Sequence, residues 1–475
     1  MQKKDLIKYM NSMAEKRDRY IRRNALYYHD LVKFLKFNIP SGSSILEVGC
    51  GTGYLLNALQ PGKGVGIDIS PGMISVARKN HPHLAFHEMD VEFLLPETLA
   101  SHPFDFIVIS DTIGYFEDVM RAFSELRKVT SDHTRIIITY PNFFWLPILD
   151  LAGFLRLKMV SKRFNWLDFK DISNILHLEG FEMIKTGRRF LFPKYFPVIS
   201  SLFNRYLAFL PGFNFFCLTD FVITRPVRTM PLNEAGLSVS VIIPARNEQG
   251  NIANAIRRMP QIGSHTEIIF IEGHSTDNTF GEIVSTADKY CRQLDIKYAR
   301  QSGKGKGDAV RQGFAMASGD ILMILDADLT VPPEDLPKFY NAIADGYGEF
   351  INGTRLVYPM ERQAMRTLNM MGNKLFSFIF SWLLGQRIKD TLCGTKAISR
   401  VNWNKLVKNR SYFGDFDPFG DFDLIFGAAK LNLKIVEIPI RYRAREYGET
   451  NISRFKHGWL LLKMVFFALN KIKFK

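Results

Sequence analysis

The pattern of apolar and polar positions divides the chain into short buried strands that alternate with amphipathic helices. Apolar runs of roughly four to eight residues fit strands of a sheet that helices cover on both faces. Residues 1–40 and 54–59 have helical patterns instead. An α/β fold is therefore predicted, with strands at 44–48, 64–69, 216–224, 239–243, 267–271, 296–299 and 321–325.

The length and one polar segment predict two domains. A chain of 475 residues can bury two or three separate cores. Residues 225–237 (RPVRTMPLNEAGL) are polar and carry two prolines, which is typical of an interdomain linker. The domains are then 1–224, which ends in a cap rich in Phe, Leu and Pro, and 238–475, which ends in a basic amphipathic tail.

The first candidate site follows the strand predicted at 44–48. The sequence continues with Gly49-Cys50-Gly51-Thr52-Gly53 and then a helix. Glycines let the backbone approach a ligand, and the first turn of a helix offers free N–H groups. The next strand carries Asp68, nineteen residues after Gly49, and an acid at about this distance suits a ribose diol. A nucleotide-like cofactor is therefore predicted here.

These residues resemble the class I S-adenosylmethionine-dependent methyltransferases. The resemblance covers residues 40–140: EVGCGTG at 47–53, GIDIS around Asp68, HEMDVE around Asp90, and FDFIVISDTIGYFED at 104–118. It implies a Rossmann-like domain in which the glycine loop holds the methionine part, Asp68 the ribose, and Asp90 the region of the adenine. The expected cofactor residues are Glu47, Gly49, Cys50, Gly51, Gly53, Asp68, Asp90 and Ser110.

A dinucleotide is the alternative cofactor, but GCGTG lacks the G-x-G-x-x-G spacing. The methyl acceptor is harder to assign, because methyl transfer depends largely on orienting the acceptor. Asp111, Tyr115 and Tyr140 are candidates for the acceptor pocket, and a structural role is the alternative for each.

A second candidate site follows the strand predicted at 321–325, which ends on Asp326-Ala327-Asp328. Open α/β sheets bind ligands beyond the carboxyl ends of their strands. Two carboxylates one residue apart suit Mg²⁺ or Mn²⁺, which take oxygen ligands and keep positions for substrate phosphates. By itself Asp-x-Asp is more often a solvated turn, so the surrounding motifs must decide.

Five motifs in order resemble the family 2 glycosyltransferases, and most closely their polyprenyl-phosphate (dolichol-phosphate mannose) sugar synthase branch. They are PARNE at 244–248, EGHSTDNT at 272–279, GKGDAVRQG at 305–313, DAD at 326–328 and GTR at 353–355. The resemblance runs from 238 to about 455 and implies a GT-A domain with a nucleotide-diphosphate sugar donor. The expected donor residues are Pro244, Ala245, Asn247, Glu248, Glu272, Asp277, Lys304, Lys306 and Asp326.

One departure concerns the nucleotide. The family's D-D-G-S is E-G-H-S here, so Glu272 keeps one acid while Gly273 replaces the other. The identity of the base therefore stays open.

The acceptor also stays open. Asp326, Asp328, Arg355 and Arg366 are the expected catalytic residues, the first two holding the metal. A lipid phosphate needs cations such as the two arginines, with Lys396 and Arg443 following in order. A hydroxyl acceptor needs a general base instead, for which Asp390, Asp421 and Asp423 are available.

Charge and apolar patterning predict an anionic membrane surface as a partner. The net charge is +15, and the basic residues cluster in the first forty residues, in 151–215 and in 441–475. Residues 375–384 and the tail, with Lys471, Lys473 and Lys475, suit the membrane interface, and core packing is the alternative. No apolar run reaches the roughly 18–20 residues that span a bilayer.

The compartment is predicted from cysteine usage and from the charged start of the chain. The four cysteines form no C-x-x-C pair, and the first residues do not form a signal peptide. We expect a cytoplasmic protein, peripheral at the inner face of the cytoplasmic membrane.

The sequence therefore predicts a bifunctional enzyme, a methyltransferase joined to an inverting, metal-dependent glycosyltransferase. Its acceptor is expected to be a polyprenyl phosphate or another lipid-linked or cell-surface glycan. A peripheral membrane protein with one domain reduced to a binding module is the alternative. Nucleic-acid modification rests on positive charge alone without an RNA-binding motif, so no nucleic-acid partner is expected.

Overall fold

The computed structural model describes residues 2–99, 102–160, 163–165, 167–228, 236–358, 367–413, 422–443, 445, 447 and 454–474. The chain divides into two compact units, residues 1–227 and residues 228–473. Among the predicted site residues, Arg366 and Asp421 lie outside the described residues, as do Lys475 of the tail and most of the predicted linker. Within the described part of the chain, no helix has the length and apolar character needed to cross a bilayer.

The first unit is built on one seven-stranded sheet with the order β3-β2-β1-β4-β5-β7-β6. Strands β1 to β5 are parallel, and β7 runs antiparallel to its neighbours β5 and β6. The strands are β1 Ser44–Val48, β2 Lys63–Asp68, β3 Ala85–Glu88, β4 Phe106–Ser110, β5 Arg135–Pro141, β6 Phe181–Arg189 and β7 Thr219–Pro226. The helices are α1 Lys3–Arg23, α2 Ala25–Asn38, α3 Tyr54–Leu59, α4 Pro71–Asn80, α5 Val119–Arg127, α6 Leu146–Phe154, α7 Phe169–Leu178 and α8 Ile199–Arg205.

The last strand of this unit differs from the prediction at both ends. Phe213–Phe216 forms a 3₁₀ turn, so the strand predicted at 216–224 begins only at Thr219. It continues to Pro226, two residues past the predicted end of the domain, because Arg225 and Pro226 still pair with Glu182 and Phe181 of β6, and the Arg225 guanidinium also donates to the Glu182 carboxylate at 2.6 Å. The apolar run alone could not predict where β7 ends, because Glu182, the residue that pairs with Arg225, lies 43 residues away.

The second unit is also built on a seven-stranded sheet, with the order β10-β9-β8-β11-β13-β12-β14. Strands β8 to β11 are parallel, whereas β13 runs antiparallel to β11 and β12. The strands are β8 Val239–Ala245, β9 Thr266–Glu272, β10 Asp295–Arg300, β11 Ile321–Ile324, β12 Phe350–Thr354, β13 Lys396–Ser399 and β14 Ile435–Pro439. The helices are α9 Ile252–Arg257, α10 Thr279–Tyr290, α11 Lys306–Met316, α12 Leu336–Ala344, α13 Thr367–Leu384, α14 Arg400–Asn409, α15 Phe422–Lys430 and α16 Arg454–Ala468.

The predicted α/β fold is confirmed in both units. The central parallel strands β1, β4, β8 and β11 are almost wholly buried, which explains their uninterrupted apolar sequences. Because the strands of each parallel set point the same way, their carboxyl ends lie along one edge of the sheet. Both groups of predicted site residues follow these ends, which is where open α/β sheets bind ligands.

Candidate functional sites

The glycine turn after β1 is held against β2 by Asp68. The Gly51 N–H donates to one carboxylate oxygen of Asp68 at 2.9 Å, and the Ser70 N–H donates to the other at 2.9 Å. Burial raises the pKa of Asp68, and these two bonds offset only part of the rise. Gly49 has φ +72°, and a Cβ there would lie 2.7 Å from Thr112 Oγ1, so only glycine fits.

Glu47 and Cys50, two of the predicted cofactor residues, are buried at the same turn. The Leu56 N–H, in the first turn of α3, donates to Glu47 Oε2 at 2.9 Å. Burial raises the pKa of Glu47 to about 8. Burial likewise raises the pKa of the Cys50 thiol.

Asp90 and Ser110 contact side chains that the sequence did not point to. The Lys3 ammonium on α1 lies 2.5 Å from Asp90 and 2.9 Å from Glu92. The Ser110 hydroxyl lies 3.1 Å from the Thr139 hydroxyl. Lys3 was missed because its only sequence signal is its place in an amphipathic helix.

The three acceptor-pocket candidates lie together. Asp111 has φ +54° at the end of β4 and accepts a hydrogen bond from the Tyr27 hydroxyl at 2.5 Å. The Tyr140 hydroxyl is buried and has no hydrogen-bond partner among the described residues, and burial raises its pKa. Tyr115 lines the same cavity. Tyr27 is a further residue that the sequence analysis missed.

A cavity of about 1000 Å³ joins both groups within the first unit. Its lining includes every predicted cofactor residue except Gly53, together with Asp111, Tyr115 and Tyr140. This volume is at the upper end of the usual range for small-molecule sites, so it has room for a cofactor and an acceptor. The glycine turn, the buried Asp68 and the unpartnered Tyr140 hydroxyl suit a nucleoside cofactor with a second ligand beside it.

In the second unit, each carboxylate of the Asp-Ala-Asp turn pairs with a cation. The Lys306 ammonium lies 2.6 Å from Asp326, and the Arg445 guanidinium donates to Asp328 at 2.7 Å. Burial alone would raise the pKa of Asp326, but the nearby positive charges of Lys306, Lys396 and Arg355 together lower the Asp326 pKa below its ordinary value. Arg445 also lies 3.3 Å from Glu248, and thus brings a third carboxylate to the turn.

The contacts of Arg445 and the close packing of Gly394 at this turn were not anticipated from the sequence. Arg445 lies 117 residues from Asp328, and the sequence pointed to Arg443 instead. Arg443 is exposed, and its backbone N–H bonds to Thr330. Gly394 packs against the Asp326–Lys306 pair so closely that a Cβ there would lie 2.6 Å from Asp326 Cγ.

The loops after β8 and β9 interlock through the predicted nucleotide residues. The Thr276 N–H donates to Asn247 Oδ1 at 2.8 Å, and the Ser275 N–H donates to Glu272 at 2.6 Å. The Thr279 N–H donates to Asp277 at 3.1 Å at the start of α10. Pro244 and Ala245 end β8, and Lys304 is exposed. The predicted nucleotide residues of these two loops therefore lie at the edge of the sheet where β8 and β9 end.

Arg355 forms a buried pair with Asp390. Its Nε and Nη2 donate to the two Asp390 oxygens at 2.7 and 2.8 Å, and Asn373 donates to Asp390 at 3.2 Å. Burial alone would raise the pKa of Asp390, but the charge and hydrogen bonds of Arg355, together with the hydrogen bond from Asn373, lower the Asp390 pKa below its ordinary value. One edge of the Arg355 fork is thus engaged, and only Nη1 and the second Nη2 hydrogen can meet a ligand.

The donor set at the turn fits Mg²⁺ or Mn²⁺ in one specific way. Among the described residues, no three His, Cys, Asp or Glu side chains are arranged as a metal cage. Asp326 and Asp328 offer oxygen ligands only, and Mg²⁺ commonly binds through one or two carboxylates plus substrate phosphates. The two aspartates fit a metal that arrives with a diphosphate, and binding would loosen their pairs with Lys306 and Arg445.

Two family models match the chain. The model described as "Methyltransferase domain" matches residues 13–186, and "Glycosyl transferase family 2" matches residues 240–408. The first range contains the glycine turn, Asp68, Asp90 and Asp111. The second contains the interlocked loops, the Asp-Ala-Asp turn, Arg355 and Gly394, whereas Arg445 lies beyond its end.

Three relatives are similar to about half of the chain. A dolichol-phosphate mannosyltransferase of Pyrococcus furiosus is 36% identical over 229 residues, 46% of this chain and 60% of that protein. A dolichyl-phosphate hexose transferase of Haloferax volcanii is 27% identical over 233 residues, 48% of this chain and 92% of that protein. The low-salt glycan biosynthesis hexosyltransferase Agl6 of the same organism is 30% identical over 226 residues, 47% of this chain.

The chain spans 51% of the length of Agl6. The family matches agree with the fold and the motifs in both units. The chain therefore carries two transferase domains, a methyltransferase domain in its first half and a family 2 glycosyltransferase domain in its second.

Proposed function

We propose that the second unit transfers a sugar from a nucleotide-diphosphate sugar to a polyprenyl phosphate at a membrane surface. The observation that carries this proposal is the cluster at the carboxyl ends of β8 and β11, where Asp326 and Asp328 lie with Lys306 and Arg445. Asp326 and Asp328 would hold Mg²⁺ or Mn²⁺, whose chemistry is to neutralise the leaving diphosphate. Lys306 supplies a further positive charge beside it.

The surroundings of the candidate bases favour a phosphate acceptor over a hydroxyl. Arg355 and Asn373 donate hydrogen bonds to the Asp390 carboxylate, and Arg410 pairs with Asp423 at 2.9 Å. A general base must reach the proton that it removes, and both carboxylates are engaged by guanidinium groups. A lipid phosphate is already ionised near neutral pH and needs cations instead.

Two helices of this unit carry exposed apolar faces that suit a lipid acceptor. Leu375 and Phe378 are exposed on α13, and Trp459, Leu462 and Phe466 are exposed at helical spacing on α16. The two helices pack together. Exposed apolar and aromatic side chains, with the exposed Lys463 ammonium 5.8 Å from the centre of the Trp459 ring, favour peripheral attachment to an anionic membrane.

The acceptor is tested with a polyprenyl phosphate and the matching free polyprenol, each offered with a panel of nucleotide sugars. We expect labelled sugar only on the phosphate. If only the polyprenol or a sugar alcohol is glycosylated, the acceptor proposal is wrong and an aspartate must act as the base. Transfer to neither compound, with donor hydrolysis retained, would contradict both acceptor classes.

Arg355→Lys is expected to lower sugar transfer about 100-fold, because an ammonium cannot reproduce a planar fork that holds Asp390 and a phosphate together. If Arg355 contacts the acceptor, the KM for polyprenyl phosphate rises more than the KM for the nucleotide sugar. Arg257→Lys, at an exposed position, is the control and should leave both constants unchanged. Equal rises in both KM values would assign Arg355 a purely structural role.

For the first unit we propose methyl transfer from S-adenosylmethionine, the cofactor that supplies the methyl group. The cavity that joins the glycine turn, Asp68 and Asp90 to Asp111 and Tyr140 supports this. The covalent link between the units favours two steps on related lipid-linked or cell-surface glycan intermediates.

Asp68→Ala is expected to weaken S-adenosylmethionine binding by about 1–3 kcal/mol, because it removes buried acceptors for a ribose diol. It also leaves the Gly51 N–H without its partner, which loosens the glycine turn. Isothermal calorimetry on the full chain measures the loss, and the exposed Glu97→Ala is the control. Equal affinity of Asp68→Ala and the wild type would remove Asp68 from the cofactor site.

A further inference from the structure

Helix α6 is apolar on almost every side, yet one face of it is exposed. Asp150 is the one charged residue in its sequence LPILDLAGF. Leu146 is buried, whereas Leu151 is 58% exposed and Phe154 is 82% exposed. A helix that is apolar all round belongs in a protein core or in contact with lipid, and the described residues of this unit leave one face of α6 uncovered.

The same helix forms the mouth of the cavity. Ile148, Leu151 and Leu155 line the cavity and are also more than half exposed, which places them where it opens. Tyr195 lines the cavity too and is 74% exposed. The entrance to the predicted cofactor and acceptor residues is therefore apolar and aromatic.

Four exposed phenylalanines extend this apolar area. Phe143 and Phe144 directly precede α6, and the Phe144 ring lies 4.7 Å from Phe215, which lies 5.5 Å from Phe216. We call these eight residues the cap surface: Phe143, Phe144, Ile148, Leu151, Phe154, Leu155, Phe215 and Phe216. Clusters of exposed apolar side chains, unlike single ones, are typical of interaction sites.

Basic side chains border the cap surface. Arg23, at the end of α1, donates to the Arg156 carbonyl at 2.9 Å, which holds two exposed arginines just beyond the last turn of α6. Lys194 is exposed beside Tyr195, and both Arg23 and Lys194 line the cavity. The single acid of α6, Asp150, lies 3.5 Å from Arg163.

We propose that the methyltransferase unit docks on an anionic lipid bilayer through the cap surface, with the mouth of its cavity facing the lipid. An anionic bilayer suits both the apolar residues and the basic residues of this surface. The apolar and aromatic side chains enter the headgroup boundary, while lysine and arginine contact anionic headgroups. A protein partner would need a matching acidic and apolar face. The inference adds a second membrane contact to that proposed for α13 and α16, and it does not depend on sugar transfer.

Site-specific depth probes on the full chain test the proposal. Cys291 is the exposed cysteine, so Cys291→Ser removes background labelling. An environment-sensitive fluorophore is attached at Phe154→Cys or at the control position Leu178→Cys, which is 59% exposed on α7. Vesicles contain phosphatidylcholine with or without phosphatidylglycerol, plus a nitroxide-labelled lipid as quencher. We expect quenching at position 154 and not at position 178, and only with phosphatidylglycerol.

Paired variants provide the second measurement. Leu151→Glu with Phe154→Glu should lower the vesicle partition coefficient about 10-fold or more, because two bulky apolar side chains no longer gain by leaving water. Leu178→Glu should leave it unchanged. Loss of activity in the glycosyltransferase unit cannot mimic either readout, since neither requires turnover. Absent quenching at 154, equal quenching at 178, or a shift in oligomeric state without vesicle binding would overturn the proposal.

Discussion

Asp328→Asn is expected to lower sugar transfer by at least ~1000-fold, because Asp328 would lose the charge with which, as we propose, it helps to hold a divalent cation, and such a cation would stabilise a departing diphosphate by several kcal/mol. The substitution keeps an oxygen for the bond from the Thr330 hydroxyl, which lies 2.8 Å from Asp328, and removes the charge. Radiolabelled sugar transfer to polyprenyl phosphate measures the loss. Methyl transfer and S-adenosylmethionine binding, which we assign to the first unit, should be unchanged, because Asp328 belongs to the second unit.

Asp295→Asn is the matched control. Asp295 begins β10, is partly exposed and pairs with His265 at 3.0 Å, away from the carboxyl ends of the strands. Excess chelator should reproduce the Asp328→Asn loss in the wild type, and added Mn²⁺ or Mg²⁺ should restore transfer in the wild type alone. Undiminished transfer in chelator would contradict a metal at this turn.

Gly394→Ala is expected to lower sugar transfer about 100-fold, because a small displacement of a catalytic group is enough for such a loss. The new methyl group would lie inside van der Waals contact of both Asp326 and Lys306. The carboxylate and the ammonium must then separate or move away from the strand end. Steady-state kinetics should show a lower kcat, with nucleotide-sugar binding less affected than turnover.

The control for this substitution is Gly458→Ala on α16. A Cβ at Gly458 meets no atom within 4 Å, so the same change in chain entropy occurs without a clash. Unimpaired transfer by Gly394→Ala would mean that Asp326 and Lys306 can shift without consequence, and that the pair does not organise the reaction. A fall in thermal stability that matches the loss of activity would likewise remove the catalytic argument.

The sequence alone was sufficient for the elements whose signals are local. Strand β1 and helix α3 have the predicted bounds, because a buried run, a glycine turn and a helix start are all encoded by neighbouring residues. The Asp-Ala-Asp turn could be placed at the end of a buried strand for the same reason. Strand β11 ends one residue earlier than predicted, at Ile324.

Contacts between distant parts of the chain were decided only by the tertiary structure. Lys3 reaches Asp90, Tyr27 reaches Asp111 and Arg445 reaches Asp328 across 117 residues, and no periodicity encodes such pairs. Their partners are fixed by the order of the strands and by the helices packed on them.

The apolar segment 143–155 shows the same division between sequence and tertiary structure. The composition of the predicted cap, residues 141–224, which contains this segment, allowed either a substrate cap with core packing or a surface that meets lipid, since both environments favour the same side chains. Tertiary packing leaves Leu151 and Phe154 exposed, and it places Leu151 and its neighbours Ile148 and Leu155 in the cavity lining. Local sequence determined which segments are apolar, and the packing of the whole unit determined which apolar faces remain exposed to solvent.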